Sequence, residues 1–160
     1  MPFKIIGMSQ TRLSTEISVD ESGPRPLLIQ RPIKVRTYDI DSGAHVSNIV
    51  YLRWMEDLRN DLFEEHFPFA KLFADGYTPV IASTFIEYKR PVKLFDDPVG
   101  LMWIAEISSA SIKFRGEVQV AGEARARAAH IGVFIDAKTE RPVKLPRYVR
   151  EKFLEAQKQS

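Results

Sequence analysis

No cysteine occurs among the 160 residues, which excludes disulfides, thiolate metal sites and a cysteine nucleophile together. A reducing, cytoplasmic address is the expectation that follows. No run reaches the ~18 apolar residues that a membrane span needs, and the start, MPFKIIGMSQTRLS, lacks the long apolar segment of a secretory leader. A soluble protein with no membrane partner is expected. Neither sign of charge dominates: 23 Lys and Arg against 21 Asp and Glu leave a net charge of +2. Electrostatics therefore demand no nucleic-acid partner. A basic excess is confined to the C-terminal end, where Lys138, Arg141, Lys144, Arg147, Arg150, Lys152 and Lys158 outnumber Glu140, Glu151 and Glu155; a solvated tail accounts for it. His66 and His130 have no HxxxH spacing or carboxylate partner at metal-ligand spacing, so no metal is expected.

What is present fits one domain large enough to bury roughly two thirds of its unfolded surface. Residues 1–26 show no sustained period and carry turn signals at DESGPRP, which reads as an N-terminal arm. Residues 27–160 form the single domain, opening with a strand in LLIQRPIKVRTY in which Pro32 suits an edge or a bulge. From Asn48 to about Glu65 the period becomes helical: Tyr51, Leu52, Trp54, Met55, Leu58, Leu62 and Phe63 fill one half of the wheel, with Arg53, Glu56, Asp57, Asn60 and Asp61 on the other. Arg59 falls inside the apolar arc, as a snorkelling or a paired guanidinium. After Pro79 the segments VIASTFIEYKR, VGLMWIAEIS, SIKFRGEVQV and EARARAAHIGVFID read as consecutive antiparallel strands. In the third, Ile112, Phe114, Val118 and Val120 alternate with Lys113, Arg115, Glu117 and Gln119, so one sheet face is buried and the other wet. A loop with Pro142 and Pro146 leads to a short C-terminal helix. The fold class is α+β, one long helix against one antiparallel sheet.

The stretch DIDSGAHVSN, residues 39–48, sets two aspartates, a histidine and an asparagine directly before the long helix. Unpaired N–H groups at a helix start favour a carboxylate, an anion or a polarised carbonyl oxygen. The same residues also suit a purely structural role, with Ser47 or Asn48 as helix cap and the aspartates in an Asx turn.

The order of strand, DxDxxxHVxN, helix with YLRWMEDLR, and four strands carrying IEYKRPVKLFDD resembles the hotdog-fold acyl-CoA thioesterases of the 4-hydroxybenzoyl-CoA thioesterase type. The resemblance spans roughly residues 30–146. It implies a hotdog fold, a long central helix wrapped by an antiparallel sheet, and hydrolysis of an acyl-CoA to free acid and coenzyme A. Asp41 would then be the base or nucleophile, and N–H groups from about Val46 to Asn48 would polarise the carbonyl, with the Asn48 side chain placing a water. The helix end would favour the ionised form of Asp41. His45 belongs to the site by the same analogy, or else steadies the loop. The motif departs from the usual D-x-D-x-x-G-H-V-x-N at Ala44, which stands where glycine is usual. No cofactor is implied, since coenzyme A is part of the substrate.

Lys89 and Arg90 are candidates for the phosphates of coenzyme A. Tyr51, Trp54, Phe85 and Tyr88 are candidates for an acyl pocket or for core. Two alternative functions stand beside hydrolysis: a hotdog hydratase or dehydratase, which needs a histidine–acid pair, and a non-catalytic acyl-thioester binder, for which Ala44 is the hint. The unpaired edge of such a sheet predicts a homodimer or homotetramer.

Overall fold

The computed structural model of the protein describes residues 23–160. Most of the expected N-terminal arm lies outside the described residues. Its last residues already sit on the sheet: Ile104 N–H donates to the Pro26 carbonyl at 3.1 Å, and the Arg25 guanidinium lies 4.4 Å from the centre of the Trp103 ring.

Helix α1, Asn48–His66, takes up the helical period found in the sequence and buries Val50, Tyr51, Trp54, Met55, Leu58, Leu62 and Phe63. Leu52, expected in the apolar arc, is exposed. It lies at the margin of that arc with Glu56 and Arg59, on the flank that faces away from the middle of the sheet. A short helix α2, Phe69–Ala74, follows. The strands are β1 (Ile29–Pro32), β2 (Tyr77–Tyr88), β3 (Val99–Ile107), β4 (Ser111–Val120), β5 (Glu123–Asp136) and β6 (Pro142–Val143), and the chain ends in α3, Arg147–Gln159. Two strand glycines let α1 lie close on the sheet. A Cβ at Gly100 would come 2.7 Å from Leu58, and one at Gly116 would come 2.6 Å from the Met55 sulfur, so a larger residue at either would push the helix away.

The sheet is antiparallel in the order β1-β3-β4-β5-β2, with β6 on the end of β5. The reading of consecutive neighbours holds for β3, β4 and β5 but fails for β2. That strand pairs with β5, from Tyr77 opposite Asp136 to Tyr88 opposite Ala126. Residues 89–98 therefore cross from one side of the sheet to the other, as befits ten residues with Pro91 and Pro98 rather than a tight hairpin. β1 is shorter than expected, because the chain leaves the sheet at Pro32 and turns at Thr37–Asp39.

The outer face is not uniformly wet. Glu117 is only 5% exposed, lying 3.9 Å from Arg25 and 3.7 Å from Arg127, with the Gln119 amide donating to it at 2.5 Å. Burial of this carboxylate is compensated by charge and hydrogen bonds. The C-terminal helix is longer than expected and contributes Val149 and Phe153 to the core. Among the described residues no helix is long and apolar enough to cross a membrane. The architecture is that of the hotdog fold.

Candidate active site

The 39–47 loop is built from its own backbone. Asp39, 5% exposed, accepts Arg36 N–H on Oδ2 at 2.8 Å and Ser47 N–H on its carbonyl at 2.8 Å. Asp41 N–H donates to the His45 carbonyl at 2.8 Å, and Ala44 N–H to the Asp41 carbonyl at 3.0 Å. Asp41 Oδ1 accepts Gly43 N–H at 2.9 Å and His45 N–H at 3.4 Å. This is the Asx turn that the residue types allow. It occupies one carboxylate oxygen and holds the group in place.

Ala44 has φ of 61°, a left-handed conformation that glycine adopts freely and alanine at a cost of roughly 1 kcal/mol. Alanine thus stands in the backbone shape expected of glycine. The departure in the motif leaves the turn closed.

At the start of α1, Ser47 occupies the cap position but its side chain makes no capping bond. The expectation that Val46 N–H polarises a substrate carbonyl is not met: that group donates to the Val92 carbonyl at 2.8 Å. Ser47 N–H is likewise engaged by Asp39. At this helix start the N–H groups of Asn48 and Ile49, the first two of the helix, have no backbone partner among the described residues.

A cavity of about 240 Å³ gathers Asp41, His45, Val46, Asn48, Tyr51, Tyr88, Lys89, Arg90 and Pro91. Of the residues singled out in the sequence, Trp54 and Phe85 lie elsewhere. Trp54 is buried on the opposite flank of α1, beside Arg31, Lys34 and Arg36. Phe85 points to the other face of β2 from Tyr88 and does not line the cavity. Tyr51 is buried in edge-on contact with both Trp54 and Tyr88, each with centroids 5.2 Å apart. Its hydroxyl oxygen accepts Val92 N–H at 3.3 Å, and burial pushes its pKa up. Tyr51 is a wall of the cavity rather than an acid. Lys89 is 3.4 Å from Glu87, and Arg90 is 2.7 Å from Glu123.

Sequence reasoning missed Pro91 and Arg125. The Arg125 carbonyl accepts the N–H groups of Lys89 and Arg90 at 2.8 and 3.1 Å, and its guanidinium is 3.8 Å from Glu123. Pro91 was visible in YKRP, whereas Arg125 lies behind Lys89, Arg90 and Pro91 only through the β2–β5 pairing.

A family model described as the thioesterase-like superfamily matches residues 35–153. The chain belongs to that superfamily. It is 30% identical over 133 residues to the long-chain acyl-CoA thioesterase FadM of Escherichia coli, covering 78% of this chain and 96% of that one. The crystal structure of the probable thioesterase YbaW from Escherichia coli superposes with a TM-score of 0.73 at 29% identity, over 80% of this chain and 98% of that one. A thioesterase from Thermus thermophilus, solved with coenzyme A and Zn, gives 0.72 at 26% identity, over 83% and 96%. The protein is thus a hotdog-fold thioester hydrolase, and acyl-CoA hydrolysis is the activity of its family. Among the described residues no group of three or more His, Cys, Asp or Glu is placed to hold a metal ion.

Proposed function

We propose that the chain hydrolyses an acyl-CoA through Asp41, with the Asn48 and Ile49 N–H groups receiving the carbonyl oxygen. One observation carries this: Asp41 and Asn48, the first of the two residues with open donors at the start of α1, border one cavity. A carbonyl oxygen placed at those donors gains stabilisation as it becomes an oxyanion, with no reorganisation required. As a base, Asp41 takes a proton from water as the hydroxyl adds to the thioester carbon; the tetrahedral intermediate then expels the coenzyme A thiolate, which is protonated. As a nucleophile, it forms a mixed anhydride that water cleaves. Both routes end in free acid and coenzyme A, and neither uses a cofactor. The Asn48 side chain places the water, and His45 steadies the turn through its backbone.

Lys89 and Arg90 meet the phosphates of coenzyme A at the cavity mouth. The acyl group enters beside Tyr51 and Tyr88, and a long-chain acyl group is the first choice in view of the FadM relative. The assembly is a homodimer joined along β2, a twelve-residue edge strand that among the described residues has no neighbour on one side. The protein acts in the cytoplasm.

A panel of acyl-CoA substrates followed with a thiol-detecting reagent tests the reading. Release of free thiol dependent on Asp41 is the expected result. Tight acyl-CoA binding without turnover would favour the binder, and hydration of a crotonyl-type substrate without thiol release would favour the hydratase.

A further inference from the structure

Arg59 makes no ion pair among the described residues. It is half-buried at the margin of the apolar arc of α1, and among the described residues no carboxylate lies within 4.0 Å of it. Burial disfavours its charge, and Glu56, one turn earlier, acts in its favour from a distance. Glu56 is exposed and makes no ion pair among the described residues. Across from Arg59, on the helix side of the sheet, His130 bonds to the Thr84 hydroxyl at 3.0 Å and feels the Arg59 charge. Thr84 lies within the exposed stretch Ala82–Phe85 of β2.

We propose that these two residues pair between copies: Arg59 of each chain with Glu56 of the other, across a two-fold axis that passes beside the middle of β2. The inference rests on the homodimer reading above and adds the contact that fixes its register. The other end of β2 supplies the scale. Tyr88 is tied to Asn48 at 3.0 Å, so the four residues back to Thr84, about 13 Å of strand, run beside the eleven residues from Asn48 to Arg59, about 16 Å of helix. The point midway between Glu56 and Arg59, about 14 Å along the helix, then lies beside Ser83 and Thr84. When β2 pairs antiparallel with its own copy about that point, the two α1 helices run in opposite directions, and Glu56 faces Arg59 twice. Such an interface is self-complementary, as a two-fold requires. The surface around the axis is apolar on both sides of the edge strand: Ile49 and Leu52 on the helix side, Val80 and Phe85 on the outer face, 37–58% exposed.

Charge exchange tests the pairing in the full-length chain. E56R and R59E each place like charges opposite one another twice, and each is expected to weaken self-association in sedimentation by about 100-fold. An equimolar mixture of the two restores both attractive pairs, so a 1:1 dimer within about tenfold of the wild-type affinity is expected, as it is for the chain carrying both changes. Single variants that associate as tightly as wild type would overturn the proposal, as would a mixture that stays monomeric although both proteins are folded by circular dichroism. Should either charge reversal fail to fold, E56Q, R59Q and their combination give a double-mutant cycle; zero coupling between the two positions in dimer affinity overturns the pairing, and coupling between them supports it. A wild-type chain that is monomeric throughout would instead remove the homodimer reading itself.

Discussion

The Tyr88 hydroxyl donates to the Asn48 carbonyl oxygen at 3.0 Å, tying the last residue of β2 to the first of α1. The bond bridges the wall of the cavity and the helix end whose N–H groups receive the substrate oxygen. Tyr88→Phe keeps the ring against Tyr51 and removes only this bond. The expected stability loss is about 1 kcal/mol, and the expected fall in kcat is about tenfold, from a less well held helix start. Denaturant unfolding and steady-state kinetics on the same preparation check both; an unchanged kcat would show that the tie is structural alone.

His130 makes the fold sensitive to acid. Burial, reinforced by Arg59, lowers its pKa from 6.5 to about 4. Between those two values the unfolded chain takes up a proton that the folded chain refuses, so stability is full above pH 6.5 and falls as the pH drops towards 4. The loss is of order 3 kcal/mol across that window. His130→Leu, similar in size and without a titrating group, is expected to flatten this part of the curve of stability against pH. A slope that persists in the variant would assign it to other groups.

Ala44 is expected to gain from becoming glycine. Its φ of 61° disfavours a side chain, while glycine adds freedom to the unfolded chain; the first effect is slightly the larger at such positions. Ala44→Gly should raise the midpoint of thermal unfolding by about 1–3 °C and leave turnover within twofold, because the turn is already closed. A fall in stability would mean that the alanine methyl makes contacts that outweigh the strain.

Much of this layout could be read from the residues. Helix α1 was legible because seven of its apolar side chains share one face, and the site because an Asx turn and a helix start both follow from DIDSGAHVSN. The failures share a cause, which is that local pattern does not name distant partners. Periodicity placed Tyr51 and Trp54 together on the apolar arc, but their Cβ directions differ enough for one to face β2 and the other β1. The change of character after Pro79 identified β2 as a strand without showing that its neighbour is β5, more than forty residues on. The count of N–H donors at the helix start included Val46, and only the tertiary approach of Val92 shows that this donor is taken. Glu117 was assigned to water because Arg25 and Arg127, which accompany its burial, come from other elements.

Binding of coenzyme A should depend on salt and on Glu123. Arg90 and Arg125 share this carboxylate at 2.7 and 3.8 Å, so a phosphate must compete with it. Apparent affinity for an acyl-CoA is expected to weaken as salt rises, while a short acyl thioester without the nucleotide responds little. Glu123→Gln, which releases both guanidinium groups, should tighten acyl-CoA binding a few-fold at low salt. Equal salt responses for both substrates would detach these cations from the substrate.

Asp41→Asn separates structure from chemistry at the centre of the site. The Asx turn uses one side-chain oxygen, which accepts Gly43 N–H at 2.9 Å, and an asparagine carbonyl accepts the same bond. The loop should therefore close in the variant, with a stability change under about 1 kcal/mol. An amide cannot take a proton from water at neutral pH, and it is a poor nucleophile towards a thioester. Turnover should fall by ~10²–10⁴ or more while substrate binding is largely kept. Asp39→Asn is the control: that carboxylate is buried against Arg36 N–H at 2.8 Å, outside the cavity, so its loss should lower stability more than kcat. Retention of more than half the activity in Asp41→Asn, where loss of a base should cost ~10² or more, would leave Asp41 as a turn-forming residue only.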